Sequence, residues 1–220
     1  MPAAPAATLT VDVVSDVVCP WCDIGKRRLE SALAALAGRE PDVGVAVRWH
    51  PFELNPDLPR EGVDRRAYLE AKFGGPERAA SIYERVRAAG ASVDLPLDFE
   101  RILRQPNTRA AHRLIAWAQR QGTADPLVER LFRGYFVEGR AIGEHAVLAA
   151  IAGEAGLDAQ AARTVLDEGD GDEEVDAAER RARQLGIEGV PFFIFGGRVG
   201  VSGAQEPQTL LDAIARARET

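Results

Sequence analysis

The sequence contains little cysteine and has no excess of positive charge. Its 220 residues include two cysteines, Cys19 and Cys22, which can form one disulfide at most. That number excludes the disulfide-dense scaffold of small secreted domains. The formal net charge is −7, so we do not expect the basic face by which proteins bind nucleic acids.

Long apolar stretches are also missing. No run reaches the roughly 20 apolar residues that a transmembrane helix needs. The first ten residues, MPAAPAATLT, lack the charged and apolar regions of a secretory signal. We therefore expect a cytoplasmic protein without a membrane partner. What is present is an ordinary globular composition, with 46% apolar and 28% charged residues.

The first fifty residues predict a strand, a helix and a second strand. In TLTVDVV, Leu9, Val11 and Val13 alternate with polar residues, which is the period of a half-buried strand. Pro20 suits a first helical turn, and apolar residues then recur at helical spacing as far as Gly38. The segment VGVAVRWHPFEL alternates like the first strand. A β-α-β unit of this length implies a parallel strand pair with a crossover helix.

The middle of the chain has helical periodicity throughout, with Asp64 and Asn107 as predicted N-caps and no strand signal. The acidic stretch DEGDGDEEVD is interpreted as polar chain that leads back to the first unit. A helix follows, then two short strands joined at Gly196 and Gly197, and a last helix from near Pro207.

This order of elements predicts an α/β protein with a thioredoxin-like fold and an inserted all-helical domain. Residues 1–60 would form the first half of the thioredoxin-like domain and carry the cysteine pair. Residues 61–171 would form the insertion, and residues 172–220 the second half of the thioredoxin-like domain.

The two cysteines fall between the first strand and the first helix, so Cys19 is expected at the helix N-terminus. Free backbone N–H groups and the positive end of the helix dipole stabilise a thiolate there. Cys22 lies one helical turn further on, close enough to attack a mixed disulfide formed at Cys19. The position of the pair therefore favours redox chemistry.

Other roles for the pair fit less well. A zinc site needs about four ligands, and the histidines His50, His112 and His145 lack zinc-site spacing to the cysteines, so we predict no metal. A structural disulfide across so short a loop would remove little entropy from the unfolded chain. We interpret His50 as structural and assign no role to the other two histidines.

Three segments, VVCPWCDIGK, HPFELNP and GVPFFIFGGRVGVSGAQ, resemble the FrnE-like branch of the DsbA family of thiol-disulfide oxidoreductases. The resemblance covers essentially the whole chain. It implies a redox-active Cys-Pro-Trp-Cys motif that acts on protein or small-molecule thiols, with Cys19 as nucleophile and Cys22 as resolving thiol. It also implies that Pro191 is a cis-proline beside this pair, and that the Val190 backbone binds the partner's backbone.

The resemblance extends to the surroundings of the cysteines. Pro20 and Trp21 are expected to contact substrate, and Trp21 stands where many DsbA proteins have a histidine. A buried acid assists proton transfer in thioredoxin-like proteins; Asp16 is the candidate here, ahead of Asp12, although a turn-capping role fits Asp16 equally well. No tightly bound cofactor is expected. Glutathione is the expected redox partner, and the protein would act as a monomer or homodimer.

Two alternatives remain. The kappa-class glutathione transferases and 2-hydroxychromene-2-carboxylate isomerases share the thioredoxin domain with inserted helices. On that alternative, glutathione would be held by Val190 and by the turn of Ser202, Gly203, Ala204 and Gln205. Those enzymes usually have a serine in place of the cysteine pair, which favours the oxidoreductase. The other alternative is a binding module with inert cysteines, whose helical domain holds a polypeptide.

Overall fold

The computed structural model describes residues 8–122 and 124–219; residues 1–7, which lie in the segment expected to lack a secretory signal, are outside the described residues. The described strands are β1 (Leu9–Ser15), β2 (Val45–Pro51), β3 (Val63–Asp64), β4 (Arg104–Gln105), β5 (Phe192–Phe195) and β6 (Val199–Ser202). The described α-helices are α1 (Pro20–Arg39), α2 (Arg65–Phe73), α3 (Pro76–Ala91), α4 (Arg109–Arg120), α5 (Ala124–Phe136), α6 (His145–Glu154), α7 (Ala159–Glu168), α8 (Asp172–Gln184) and α9 (Pro207–Arg218).

The central sheet has the strand order β2-β1-β5-β6. β1 and β2 are parallel, with Leu9 opposite Val45, which confirms the predicted β-α-β unit. β5 runs antiparallel to β1, and β6 runs antiparallel to β5. Gly196 and Gly197 both have positive φ in the connecting turn, a backbone conformation that glycine adopts without strain. The arrangement is thioredoxin-like, as predicted.

Both faces of the sheet are covered by helices. Val11 and Val13 of β1 are buried in the main core together with residues of α1 and α9. Val14 is buried in a smaller cluster with Ala182 of α8 and Ile187. The alternation of side chains along β1 therefore gives the strand two buried faces.

The segment between β2 and α8 is helical, as predicted, apart from one short strand pair. β3 and β4 pair antiparallel, with Val63 opposite Gln105, and Arg65 N donates to Leu103 O at 3.1 Å. Two residues in each strand are too few to give an alternating pattern, and their partners are about forty positions apart. Local periodicity could not indicate this pairing.

The caps and helix limits agree with the local sequence signals in one place and differ from them in two. The Asp64 side chain accepts a hydrogen bond from Ala67 N at 2.9 Å, which confirms the predicted N-cap. Asn107 accepts from Arg109 N at 3.0 Å, but the N-cap residue of α4 is Thr108. The acidic stretch is not simply polar chain, because α8 begins inside it at Asp172. Acidic residues in that first turn are favourable near the positive end of the helix dipole.

Helix α4 joins the inserted helices to the sheet. The Gln119 side chain accepts from Trp49 N at 2.7 Å and donates to Trp49 O at 3.2 Å, so an amide occupies the free edge of β2. Arg113, also on α4, is buried and donates to the carbonyls of Val165 and Leu166 near the end of α7. These contacts fix α4 against β2 on one side and α7 on the other.

Candidate active site

The structure places Cys19 at the N-cap of α1, with an extended backbone (φ −93°, ψ 110°) and Pro20 as the first helical residue. Cys22 N donates to Cys19 O at 2.9 Å, and Cys19 N donates to Asp16 O at 3.0 Å. The cysteines lie close together as free thiols, 6% and 2% exposed respectively. The strand, the turn and the first helical turn therefore position the pair as the sequence predicts.

Cys22 is shielded from solvent, and this burial changes the pKa of its thiol. Desolvation raises the pKa of the Cys22 thiol well above its ordinary value, and the neighbouring Cys19 raises it further. Hydrogen bonds from the Asp16 backbone and the Ser15 hydroxyl oppose this shift. Cys22 therefore holds its proton at neutral pH and needs a base before it can act as a nucleophile.

The Val190–Pro191 peptide bond is cis, as the family resemblance implied. Cys19 Sγ lies 3.6 Å from Val190 O, so the loop before β5 contacts the first thiol directly. Gly203 N donates to Pro191 O at 2.8 Å, which brings the 202–205 turn to the same loop. Arg28 of α1 donates to Ala204 O at 2.6 Å, so α1 also contacts that turn.

Helix α1 approaches the cis-proline loop closely at Gly25. A Cβ atom at this position would lie 2.9 Å from Pro191 Cγ and 3.1 Å from the Phe193 ring. A Cβ atom essentially never lies within 3.0 Å of another heavy atom, and 3.1 Å is also unusually close, so the absence of a side chain at Gly25 permits the observed packing.

We expect Gly25→Ala to lower the free energy of unfolding by about 1–3 kcal/mol, because the new methyl group overpacks the interface between α1 and Pro191. Gly38→Ala in the same helix is the matched control, since a Cβ atom at that position would meet nothing within 4 Å. It should raise stability by about 0.5–1 kcal/mol through helix propensity alone. Urea denaturation of both variants measures the difference, and equal effects at the two positions would contradict the packing argument.

A cavity of about 250 Å³ opens beside the first cysteine. Its lining includes Cys19, Pro20 and Trp21 from the start of α1, and Tyr68 and Lys72 from α2. Trp21 is 39% exposed and lies at the mouth of this cavity, where a bound molecule can contact it. The cavity has room for a side chain beside Cys19, between the start of α1 and helices α2 and α3.

Arg65 is a buried charged residue in the lining of this cavity. It is 5% exposed and donates to Gln105 Oε1 and Tyr135 Oη, both at 2.7 Å, and to Tyr83 Oη at 2.8 Å. These partners come from β4, α5 and α3, so one buried guanidinium connects three elements of the insertion. Sequence reasoning did not single out Arg65, because nothing local distinguishes it from the many exposed arginines.

Asp16 is completely buried behind the cysteines. Its Oδ2 accepts from Leu54 N at 2.8 Å, and its Oδ1 lies 3.5 Å from Val18 N, at the limit of a hydrogen bond. His112 Nε2 of α4 is 3.3 Å from the same Oδ1. The carboxylate thus holds the turn and also faces a histidine that no local pattern connects with it.

The other predicted polar residues lie elsewhere. Asp12 Oδ1 pairs with His50 Nε2 at 2.8 Å, beside α8. His50 is interpreted from the sequence as structural without a named partner, and this pairing engages Asp12 away from the turn. His145, at the start of α6, pairs with Asp167 at 2.7 Å.

Sequence reasoning missed two buried charges on α1, Asp23 and Lys26, which are 1% and 3% exposed. Lys26 pairs with Glu30 and with Glu129 of α5. Burial raises the pKa of Asp23 to about 7, although nearby Arg27 opposes the shift. The sequence contained a signal for the burial of Lys26, because Cys22, Lys26 and Leu29 share one face of α1.

Two further observations concern ligands and membranes. Within residues 8–122 and 124–219, no cluster of three or more histidine, cysteine or acidic side chains is arranged to hold a metal ion. None of the helices in these ranges is both long enough and apolar enough to cross a membrane.

Comparison with known proteins gives one family. A family model described as the DSBA-like thioredoxin domain matches residues 10–215. The crystal structure of a probable DsbA oxidoreductase from Streptomyces coelicolor is 35% identical, with a TM-score of 0.86 over 96% of this chain and 92% of that one.

Two more distant structures share the fold. A 2-hydroxychromene-2-carboxylate isomerase is 18% identical, with a TM-score of 0.68 over 94% of this chain and 95% of that one. The cytosolic disulfide reductase DsbM from Pseudomonas aeruginosa, determined with GSH, is 19% identical, with a TM-score of 0.63 over 95% of each chain. Identities this low show the fold alone. The match to the family model and the 35% identity to the Streptomyces structure show the family as well. The chain belongs to the DSBA-like thioredoxin domain family and is an enzyme of the disulfide oxidoreductase class.

Proposed function

We propose that this protein is a dithiol–disulfide oxidoreductase in which Cys19 is the nucleophile and Cys22 the resolving thiol. The observation that carries the proposal is the contact between Cys19 Sγ, at the α1 N-cap, and Val190 O of the cis-proline loop, at 3.6 Å. A partner's backbone lying along Val190 and Pro191 would bring its sulfur to Cys19. Pro20 and Trp21, which line the adjacent cavity, would contact its side chains.

The reaction proceeds in two exchanges. The Cys19 thiolate attacks a substrate disulfide, forms a mixed disulfide and releases the first substrate thiolate, which takes up a proton from solvent. Cys22 then loses its proton and attacks Cys19 Sγ, which releases the second substrate thiolate and leaves a Cys19–Cys22 disulfide. The substrate gains two electrons and the cysteine pair loses two. Two molecules of a small thiol such as glutathione would reduce the pair again, and the reverse sequence would oxidise substrate thiols.

Glutathione and a cytoplasmic location belong to the same proposal. The cavity beside Cys19 is of a size to admit part of a small thiol peptide, and a structural neighbour is a cytosolic disulfide reductase determined with GSH. In a cytosol poised at about −220 to −320 mV, a strongly oxidising couple would be kept reduced and the enzyme would act as a reductase.

Equilibration with glutathione buffers of graded potential tests the proposal. After free thiols are alkylated and counted by mass, we expect one two-electron transition in which both cysteines lose their label together. Cys22→Ser should stop at a glutathione adduct on Cys19, which assigns the nucleophile.

Two outcomes would contradict this function. If wild-type protein also stops at a lasting glutathione adduct, the transferase or isomerase alternative is favoured, with glutathione held along Val190 and the 202–205 turn. If both thiols stay reduced at every potential, the binding-module alternative remains.

A further inference from the structure

We propose that the cavity beside Cys19 selects disulfides that carry a carboxylate close to the reacting sulfur, with Lys72 binding that carboxylate and buried Arg65 supplying a second positive charge. The inference rests on the proposed function, because it names the substrate class of the first thiol exchange. It concerns the part of the substrate that remains on Cys19 in the mixed disulfide.

The charged residues in the lining of this cavity all have the same sign. Among the described residues, the lining contains two cations, Arg65 and Lys72, and neither aspartate nor glutamate. The whole chain has 34 acidic residues against 27 lysines and arginines, so an all-cationic cavity is not what its composition predicts. A cleft lined by charge of one sign attracts ligands of the opposite sign.

Arg65 is a buried cation without a carboxylate partner. Three cationic side chains are buried in the part of the chain that the structure describes, and the other two are Lys26 and Arg113. Lys26 pairs with Glu129 at 2.8 Å, and Arg113 Nε lies 3.9 Å from Asp172 Oδ1. Arg65 forms no ion pair within residues 8–122 and 124–219, although burial of an unpaired charge is costly.

Neutral groups hold the Arg65 guanidinium in place. It donates to the amide oxygen of Gln105 and to the hydroxyls of Tyr135 and Tyr83, and its Cζ lies 5.6 Å from the centroid of each tyrosine ring. Hydrogen bonds and aromatic faces stabilise a buried cation without cancelling its charge. The charge of Arg65 is therefore available to an anion that enters the cavity.

A neighbouring cavity, which also has Arg65 in its lining, contains three carboxylates. None of these carboxylates lines the cavity beside Cys19. Each has a cationic partner of its own, in the pairs Glu70–Arg66, Glu84–Arg87 and Glu100–Arg87.

Lys72 can contact a ligand directly, because it is an exposed residue of α2 that also lines the cavity. Its Nζ donates to Tyr68 Oη at 2.7 Å, and Tyr68 Oη donates to Asn55 Oδ1 at 2.6 Å. An ammonium group has three donors, so this hydrogen bond leaves two of them for a carboxylate. Arg65 is only 5% exposed and would act on the same carboxylate through its charge.

Pyridyl disulfides, R–S–S–pyridyl, isolate the first exchange. The Cys19 thiolate attacks the sulfur of R and breaks the disulfide bond, because 2-thiopyridine is the better leaving group and carries no carboxylate. Cys19 and R are then joined by the new S–S bond, and the released thiopyridine takes up a proton from solvent. Stopped-flow absorbance of the released thiopyridone gives the rate, and only R differs between substrates.

Two matched pairs of R test the preference and distinguish its sources. Glutathione and its glycine ethyl ester differ by one carboxylate in a small thiol, whereas N-acetyl-cysteinyl-glutamyl amide and its glutaminyl analogue differ by one in a polypeptide fragment. Each rate is divided by the rate of the same disulfide with 2-mercaptoethanol. We expect the carboxylate member to react about 30-fold faster with wild-type protein in at least one pair. A preference in one pair alone identifies the small thiol or the acidic polypeptide segment as the source.

The variants assign this preference to the two cations. Arg65→Gln should lower the rate ratio about 10-fold and Lys72→Gln about threefold, because a buried charge is screened less than an exposed one. Arg65→Lys should keep most of the ratio. Arg66→Gln is the matched control, since Arg66 is the next residue of α2 but does not line this cavity, and it should leave the ratio unchanged. If Arg65→Gln does not fold, exposed Lys72→Gln decides the matter.

The inference is wrong if wild-type protein reacts equally with both members of each pair, or if Arg66→Gln lowers the ratio as much as Lys72→Gln. It is also wrong if Arg65→Gln and Lys72→Gln slow both members of a pair equally, which would indicate a structural role. Failure of the proposed function looks different: whatever the preference, mass spectrometry would then find R retained on Cys19 in wild-type protein, because Cys22 does not displace it.

Discussion

Cys19→Ser should abolish disulfide turnover, by about 10⁴-fold or more, the scale on which enzymes lose activity with their nucleophile. The expected loss is this large because Cys22 is buried, and its raised pKa keeps it protonated at neutral pH. It cannot replace Cys19, whose sulfur lies next to the cis-proline loop. The measurement is steady-state reduction of a small disulfide with glutathione as electron donor.

Cys22→Ser is the comparison that separates the two thiols. It should keep the first exchange at the wild-type rate and lose multiple turnover, because the mixed disulfide on Cys19 has no internal attacker. Mass spectrometry should then find one substrate thiol per chain. Turnover that survives in Cys19→Ser, or an adduct that forms on Cys22 in wild-type protein, would reverse the assignment of the two cysteines.

Asp23→Asn should stabilise the protein at neutral and alkaline pH. Burial is the main cause of the raised pKa of Asp23, about 7 against the usual 3.8, so the folded state disfavours the ionised carboxylate. Asp23 Oδ1 has no hydrogen-bond partner among the described residues, and Arg27 Nε is 3.9 Å away. An uncharged amide of the same shape removes the cost of ionisation.

The sign of the pH dependence follows from the direction of the shift. Because the folded state binds the proton more tightly than the unfolded chain, the wild-type protein loses stability as pH rises from about 4 to about 7, and the loss then stays constant. The difference between the two pKa values corresponds to on the order of 4 kcal/mol. The gain from Asp23→Asn should therefore be small at pH 4 and should reach its full value above pH 7.

Urea denaturation at several pH values measures this gain. Asp167→Asn is the control of opposite sign, because hydrogen bonds from His145 and Arg163 lower the pKa of that exposed carboxylate. Its removal should cost stability at neutral pH and nothing once the carboxylate is protonated in acid. A gain from Asp23→Asn that does not change between pH 4 and pH 8 would show that Asp23 does not titrate as the structure indicates.

The sequence alone determined the features that depend on local pattern. Alternation in β1, helical spacing in α1, the Asp64 cap and the glycine turn between β5 and β6 each follow from residues close together in the chain. The position of Cys19 at a helix N-terminus follows in the same way. The division at residues 60 and 171, and the roles of Asp16, Trp21 and Val190, stay predictions.

Only the tertiary structure decided which distant residues meet. The pairing of β3 with β4, the approach of Gly25 to Pro191 and the contact of His112 with Asp16 join segments separated by about forty to more than a hundred and sixty positions. Burial also depends on the whole fold: Asp23, Lys26 and Arg65 are all buried, although charged side chains are ordinarily exposed. Local spacing specifies backbone conformation, whereas the electrostatics of the site are set by the helices that pack over it.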